Sequence, residues 1–250
     1  MITNLNTPLI IFGFVILTLN IRFINPVPDY GQYSFDIFGD FSKEDVLNSM
    51  AFHYDFGKND GFISFSFDSF NQDFKRINFI MPPNTKYKNV SLGNGINVNV
   101  ETRGCEPSCI MYVVEFPEPV SKSFIKFEFA SSISPNGAFS FNTQPAYGWT
   151  IRLFMNQYKC QTNCITHLSD EMTFFYENKP DGAEILIRKE KDAGEYAIHH
   201  VRFNIESYDS SLTAWNQFFF ALSTGLIVAG LVNIYYRSKA KTSEEELVVR

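Results

Sequence analysis

The chain reads as mainly β: an antiparallel β-sandwich domain outside the cytoplasm, with a hydrophobic helix before it and a transmembrane helix after it. Three observations carry that expectation. Apolar and polar residues alternate in short runs separated by turn dipeptides. The 27 phenylalanines are a residue type that favours pleated, half-buried surfaces. One stretch near the C-terminus, from Thr213 to Tyr236, is free of charge. The expected organisation is a signal-anchor or signal-like helix over 1–26, an extracytoplasmic domain over 27–212, a transmembrane helix over 213–236 and a cytoplasmic tail over 237–250.

The N-terminal apolar run, Pro8 to Leu19, has the length of a signal-peptide core, but no Lys or Arg precedes it and no small-x-small cleavage site follows before Pro26. An uncleaved anchor and a removed export signal therefore both stay open. Either one places the middle of the chain outside the cytoplasm. Pro26 and Pro28 form an elbow leading to a first strand near Tyr33. Ser42 to Asn48 is the one helix-like stretch, a turn or two opened by Ser42 as cap with Asp45 three residues on.

The strands follow from period two. Ile63, Phe65 and Phe67 alternate with Ser64, Ser66 and Asp68, and Ile125, Phe127 and Phe129 with Lys126 and Glu128. Val201, Phe203 and Ile205 alternate in the same way with Arg202, Asn204 and Glu206. One apolar and one wet face is the antiparallel pattern. Similar runs cover Ile96 to Val100, Tyr112 to Phe116, Trp149 to Met155, Met172 to Tyr176 and Glu184 to Arg188. Between them, Asp60-Gly61, Asn94-Gly95, Asn136-Gly137 and Asp181-Gly182 are expected to supply the positive φ of tight hairpin turns.

The C-terminal stretch is long enough to cross a hydrocarbon core of roughly 30 Å as a helix. Arg237, Lys239 and Lys241 follow it and acidic Glu206 and Asp209 precede it, which orients the C-terminus to the cytoplasm. Trp215 at one end and Tyr235 with Tyr236 at the other fit the two headgroup layers. Ala221, Gly225 and Ala229 recur every four residues and share one face, where small side chains let a second membrane helix, from another protein or a second copy, approach closely.

Charge narrows the partners. Between Asn25 and Leu212 stand 16 Lys/Arg against 24 Asp/Glu, and an acidic body is unsuited to nucleic acid, whose phosphates require a basic face. The bilayer and another membrane protein are the expected partners. No HExxH, no glycine loop ending in GK[ST] and no GxSxG elbow occurs, so the expected role is a binding module or accessory subunit of a membrane assembly, with neither catalysis nor a cofactor. Asp55 to Gly61 has Gly57 where a calcium loop needs a ligand, and it reads as a hairpin. Asn89-Val90-Ser91 is an N-glycosylation acceptor sequence.

The four cysteines form two sequence pairs, Cys105 with Cys109 and Cys160 with Cys164. An even count in an exported β-domain points to disulfides, with all three connectivities open. Residues four apart are too distant to bridge within an extended strand, so a local bond requires a turn. Pro107 favours one in the first pair. The second pair offers an alternative. Cys160, Cys164, His167 and Met172, in CQTNCITHLSDEM, resemble in residue types the copper-binding loop of cupredoxins, and in particular the dinuclear copper loop of cytochrome oxidase subunit II. The resemblance covers this loop alone; the dinuclear motif has one more residue before the histidine and fewer before the methionine. It implies a copper-binding or electron-transfer domain with a thiolate, imidazole and thioether set suited to copper, completed by His53 as the upstream histidine. Thiolate ligation and disulfide bonding exclude one another, so the state of these sulfurs separates the two readings. His199-His200 lies at a strand edge, where neighbouring side chains face opposite ways.

Overall fold

The computed structural model describes residues 6–24, 31–42, 44–68, 74–93, 98–105, 108–189 and 196–248. The chain divides into two compact units, one of Asp29–Tyr208 and one of Met1–Pro28 with Asp209–Arg250.

The larger unit is one large curled sheet of thirteen strands: β1 (Gly31–Gly39), β2 (Leu47–Asp55), β3 (Asp60–Phe67), β4 (Phe74–Met81), β5 (Lys86–Leu92), β6 (Asn99–Cys105), β7 (Cys109–Val120), β8 (Ser123–Ala130), β9 (Gly137–Asn156), β10 (Tyr158–Leu168), β11 (Met172–Lys179), β12 (Gly182–Lys189) and β13 (Ile198–Asp209). The 20-residue β9 is its hinge. Its first half lies between β1 and β13, and its second half, from Ala146 on, between β2 and β12. The handover falls at Thr143 to Pro145: Ile198 pairs with Ala146 and His200 with Asn142, so β9 carries extra residues there. Pro145 has no N–H to give a ladder, which fits a bend between two sets of partners.

Two wings extend from β9. One continues through β1, β4, β7 and β6, the other through β2, β3, β8 and β5. Curling brings their inner faces together, as ring contacts across them record: Phe79 stacks on Phe127 at 4.4 Å and Phe35 meets Phe52 at 4.9 Å. Of the twelve largest fully buried side chains, all but Tyr54 are phenylalanine. Each such burial is worth about 1.5–3 kcal/mol before entropy.

Alternation behaves as expected in β3, β8 and β13, where the inward Ile63, Phe65, Phe67, Ile125, Phe127, Phe129, Val201, Phe203 and Ile205 are all at most 2% exposed. Pairing direction differs from expectation: β1 and β2 run parallel to β9, so the sheet is mixed and not strictly antiparallel. Period two reports which face is wet and not which way the neighbour runs. Ser42 to Asn48 is also not the expected helix. Ser42 N–H donates to Asp45 Oδ2 at 2.8 Å and Glu44 N–H to Ser42 Oγ at 3.3 Å, so the capping pattern is present, but it closes a turn and Leu47 opens β2. The inward faces of Met50, Phe52 and Tyr54 override the local helix signal.

The turn dipeptides work one position out of place. Gly137 and Gly182 each begin a strand, and Gly61 is the second residue of β3. A Cβ on Gly182 would run into the Met155 carbonyl oxygen and one on Gly61 would lie 2.7 Å from that of His53, so close backbone approach is what these glycines permit. Left-handed φ falls instead on Asn59, Asn84, Gln157 and Glu171. Asn94-Gly95, the start of the Ile96 to Val100 run, and the Pro26 and Pro28 elbow lie outside the described residues.

The smaller unit pairs α1 (Asn6–Ile24) with α2 (Ser210–Val248). Within α2, Ser210–Tyr236 is 27 residues, about 40 Å, with an 18-residue stretch of mean hydropathy 1.9, long and apolar enough to cross a membrane. Asp209 caps it, accepting from Ser211 N–H at 2.8 Å and Leu212 N–H at 3.2 Å. The helices approach closely at Gly13, where a Cβ would meet Ile227 Cγ1 at 2.7 Å and the Ser223 carbonyl oxygen at 3.0 Å. Ser223 is fully buried there, its hydroxyl donating to the Phe220 carbonyl at 2.8 Å.

Candidate functional site

The outer face of the β2 wing carries a continuous ladder of side chains, built by strand register. His53 stands opposite Phe62 of β3 and opposite Arg152 of β9, and all three point away from the core. Its imidazole lies between two rings, with centroids 4.8 Å from Phe62 and 5.0 Å from Phe154. Lys126 sits over the Phe62 ring at 4.5 Å and Arg152 over the Phe154 ring at 4.9 Å. Carboxylates close both ends: Glu128 pairs with Lys126, while Glu184 takes Arg152 on one oxygen at 2.5 Å and Lys179 on the other. Beyond lies β11, which among the described residues pairs with β12 alone and exposes Phe175 by 52% and Tyr176 by 40%, with Arg188 over the Phe175 ring.

Electrostatics follow the stacking. Burial between the rings, then the charge of Arg152, pulls the His53 pKa below its ordinary value, against the opposing pull of Asp55 and Glu184. Lys179's hydrogen bond, helped by Arg152, holds the Glu184 carboxyl low, and Lys126 does the same for Glu128. The ladder is thus a neutral imidazole among rings, ended by two ionised clusters. Two clefts flank it across the Phe56–Asn59 turn. One, of about 330 Å³, is lined by His53, Asp60, Phe62, Lys88 and Glu128; the other, of about 250 Å³, by Phe154, Asn156, Lys179, Asp181 and Glu184. Lys58 and Asp55 line both. Asp55 Oδ1 accepts from Gly57 and Lys58 N–H at 2.9 and 3.2 Å, as the hairpin reading of this loop requires.

The cysteines are paired locally. Cys105 and Cys109 face each other across the β6–β7 turn with Cα atoms 5.2 Å apart. Pro107 lies outside the described residues. Cys160 and Cys164 are paired within β10 at 5.0 Å, where four extended residues would span roughly 13 Å, so β10 folds back between them. Asn178 of β11 holds the fold-back, donating to the Cys160 carbonyl and accepting from its N–H, both at 3.0 Å. Both sulfurs are buried.

That arrangement does not assemble the copper set. With their sulfurs joined, Cys160 and Cys164 offer no thiolate; Met172 is buried, His167 is exposed, and His53 is packed into the ring ladder. Among the described residues no three His, Cys, Asp or Glu side chains converge on a point that could hold a metal ion. His167 instead shares a cleft of about 490 Å³ with His199, His200, Asp170, Glu171 and Tyr196. His199 and His200 both line this cleft, beside the register shift between Ile198 and His200. Burial first, then Arg202, lowers the His200 pKa, with Asp36 opposing.

Ala221, Gly225 and Ala229 are exposed on α2. The face turned to α1 is that of Ser223 and Ile227, and a Cβ on Gly225 would touch nothing within 4 Å. Two residues advance a helix by about 200°, so Gly225 lies roughly opposite Ser223.

The ladder escaped sequence reading although its parts lie at the polar positions of strands that were legible, because register between strands distant in sequence decides which outward residues meet. Neither protein-family models nor curated proteins match this chain.

Proposed function

We propose that this protein is a membrane-anchored β-domain, held outside the cytoplasm with its C-terminus inside, that works by recognition as a binding module or accessory subunit of a membrane assembly. The observation that carries the reading is the ladder from Glu128 to Lys179 with the aromatic edge of β11 beside it. Aromatic side chains and arginine are the residue types enriched where proteins meet, and here they are pre-ordered on a rigid sheet, which lowers the entropy lost on binding. The anchor reading rests on the apolar length of Ser210–Tyr236 and on the basic residues that follow it. The open Ala221, Gly225 and Ala229 face gives α2 a surface for another membrane helix or a second copy.

The test places a photo-crosslinking amino acid at Phe175, at Phe154 and, as control, at Glu118 on β7, in the full chain in its own membranes. A discrete adduct from the first two positions and none from the control is expected. Absence of an adduct, or equal adducts from all three, defeats the reading. Protease added outside sealed inside-out vesicles must spare the β-domain and remove the tail; digestion of the domain would overturn its placement.

A further inference from the structure

The glycosylation acceptor sequence is a motif that the binding reading does not use. Asn89-Val90-Ser91 is the chain's one Asn-X-Ser/Thr triplet. It lies on β5, which ends its wing and pairs on one side with β8. Val90 is 8% exposed and points into the core, whereas Asn89 and Ser91 are both exposed on the outer face. Period-two geometry thus projects together the carboxamide and the hydroxyl that define the acceptor. The register slips between Tyr87 and Asn89, so Lys88 is an extra residue and the edge is bulged just before the asparagine.

We infer that Asn89 is a modification site carrying an N-linked oligosaccharide; this rests on the extracytoplasmic placement proposed above. The donor is an oligosaccharide joined to a lipid pyrophosphate and the catalyst a membrane oligosaccharyltransferase. Asn89 Nδ2 bonds to the anomeric carbon as the C–O bond to the pyrophosphate breaks. The pyrophosphate leaves with the electron pair, and one amide proton passes to a base of the transferase. The second N–H stays on Nδ2, the atom from which Asn89 donates to Glu128. A bulky polar group there also covers an edge strand open to pairing with another chain. Because Asn89 adjoins Glu128, the glycan shields that end of the ladder and leaves approach from the Phe175 side.

The experiment maps peptides of the full-length protein purified from its own membranes, with electron-transfer fragmentation to locate the mass. The peptide Asn89–Arg103 is expected to carry a saccharide on Asn89, and both N89Q and S91A are expected to lose it completely. Vesicle protection on the same membranes separates the two ways to fail. An unmodified peptide with a protected domain overturns this inference alone. A domain open to protease from the cytoplasmic side overturns the placement and the inference with it. Modification that persists in S91A also overturns it.

Discussion

Tyr54 sits with no exposed surface among Phe52, Phe56 and Phe129, and its hydroxyl donates to the Ser131 carbonyl in the loop before β9. Replacing it with phenylalanine keeps the ring contacts and leaves that carbonyl unpartnered, so Tyr54→Phe is expected to destabilise the fold by about 1–3 kcal/mol. Urea unfolding of the full chain in detergent reads this directly, and an unchanged midpoint would remove the bond from the account. His53 gives a prediction of opposite character. Its folded pKa lies below the ordinary 6.5, because burial and then Arg152 disfavour the imidazolium. The unfolded chain therefore binds the proton more readily. The stability this contributes is complete above about pH 6.5 and falls as pH drops through the folded value. His200 is displaced in the same direction, so both must be neutralised to isolate the effect. The urea midpoint of the natural protein should fall between pH 7.5 and pH 5, and the double variant His53→Gln, His200→Gln should show a visibly smaller fall. Equal slopes would mean that neither imidazole is linked to folding.

Among the elements, α2 makes the sharpest claim, since its two faces are distinguishable by one cross-link. Gly13 meets Ile227 and Ser223, while Ala221 is exposed. The pair Gly13→Cys, Ile227→Cys should oxidise to a disulfide in membranes, and Gly13→Cys, Ala221→Cys should not. The reverse result would assign α1 to the small-residue face. The recurrence of small residues was legible in the sequence, but which face α1 occupies was not, because both faces hold residues small enough for close approach. The strands divide in the same way. In β3, β8 and β13 the alternation of Phe, Ile and Val with polar residues reports burial by itself, and the buried positions agree. β10 was hidden because its fold-back at Cys160 and Cys164 breaks period two, and β2 because Ser42 and Asp45 present a capping pattern just before it. His53, Phe62 and Arg152 come together only through pairings between residues as far apart in sequence as β2 and β9, which no local pattern records.

At the scale of the whole molecule, β9 belongs to both wings, and this fixes how the β-domain must come apart. Phe141, fully buried in its first half, touches Phe35 of β1 at 4.9 Å, Phe52 of β2 at 4.8 Å, and Trp149 and Phe203 at 6.1 Å. Those partners come from both wings, so neither wing keeps a complete core if the other opens. Trp149 reports the second half of β9: it is 2% exposed, and its Nε1–H donates to the Ile198 carbonyl at 3.0 Å. Trp215 on α2 is 60% exposed and is silenced by Trp215→Phe. In that background, Phe141→Ala should cost about 3–5 kcal/mol, the range for truncating a buried phenylalanine. Unfolding should remain a single transition in which Trp149 fluorescence and the β-sheet band of circular dichroism coincide. A change in one signal well before the other would mean that the wings are separate cooperative units joined by a passive strand. Coincidence with a lowered midpoint would mean that β9 makes them one, and that the outer ladder, which crosses β9 at Arg152 and Phe154, is held rigid for as long as either wing stays folded.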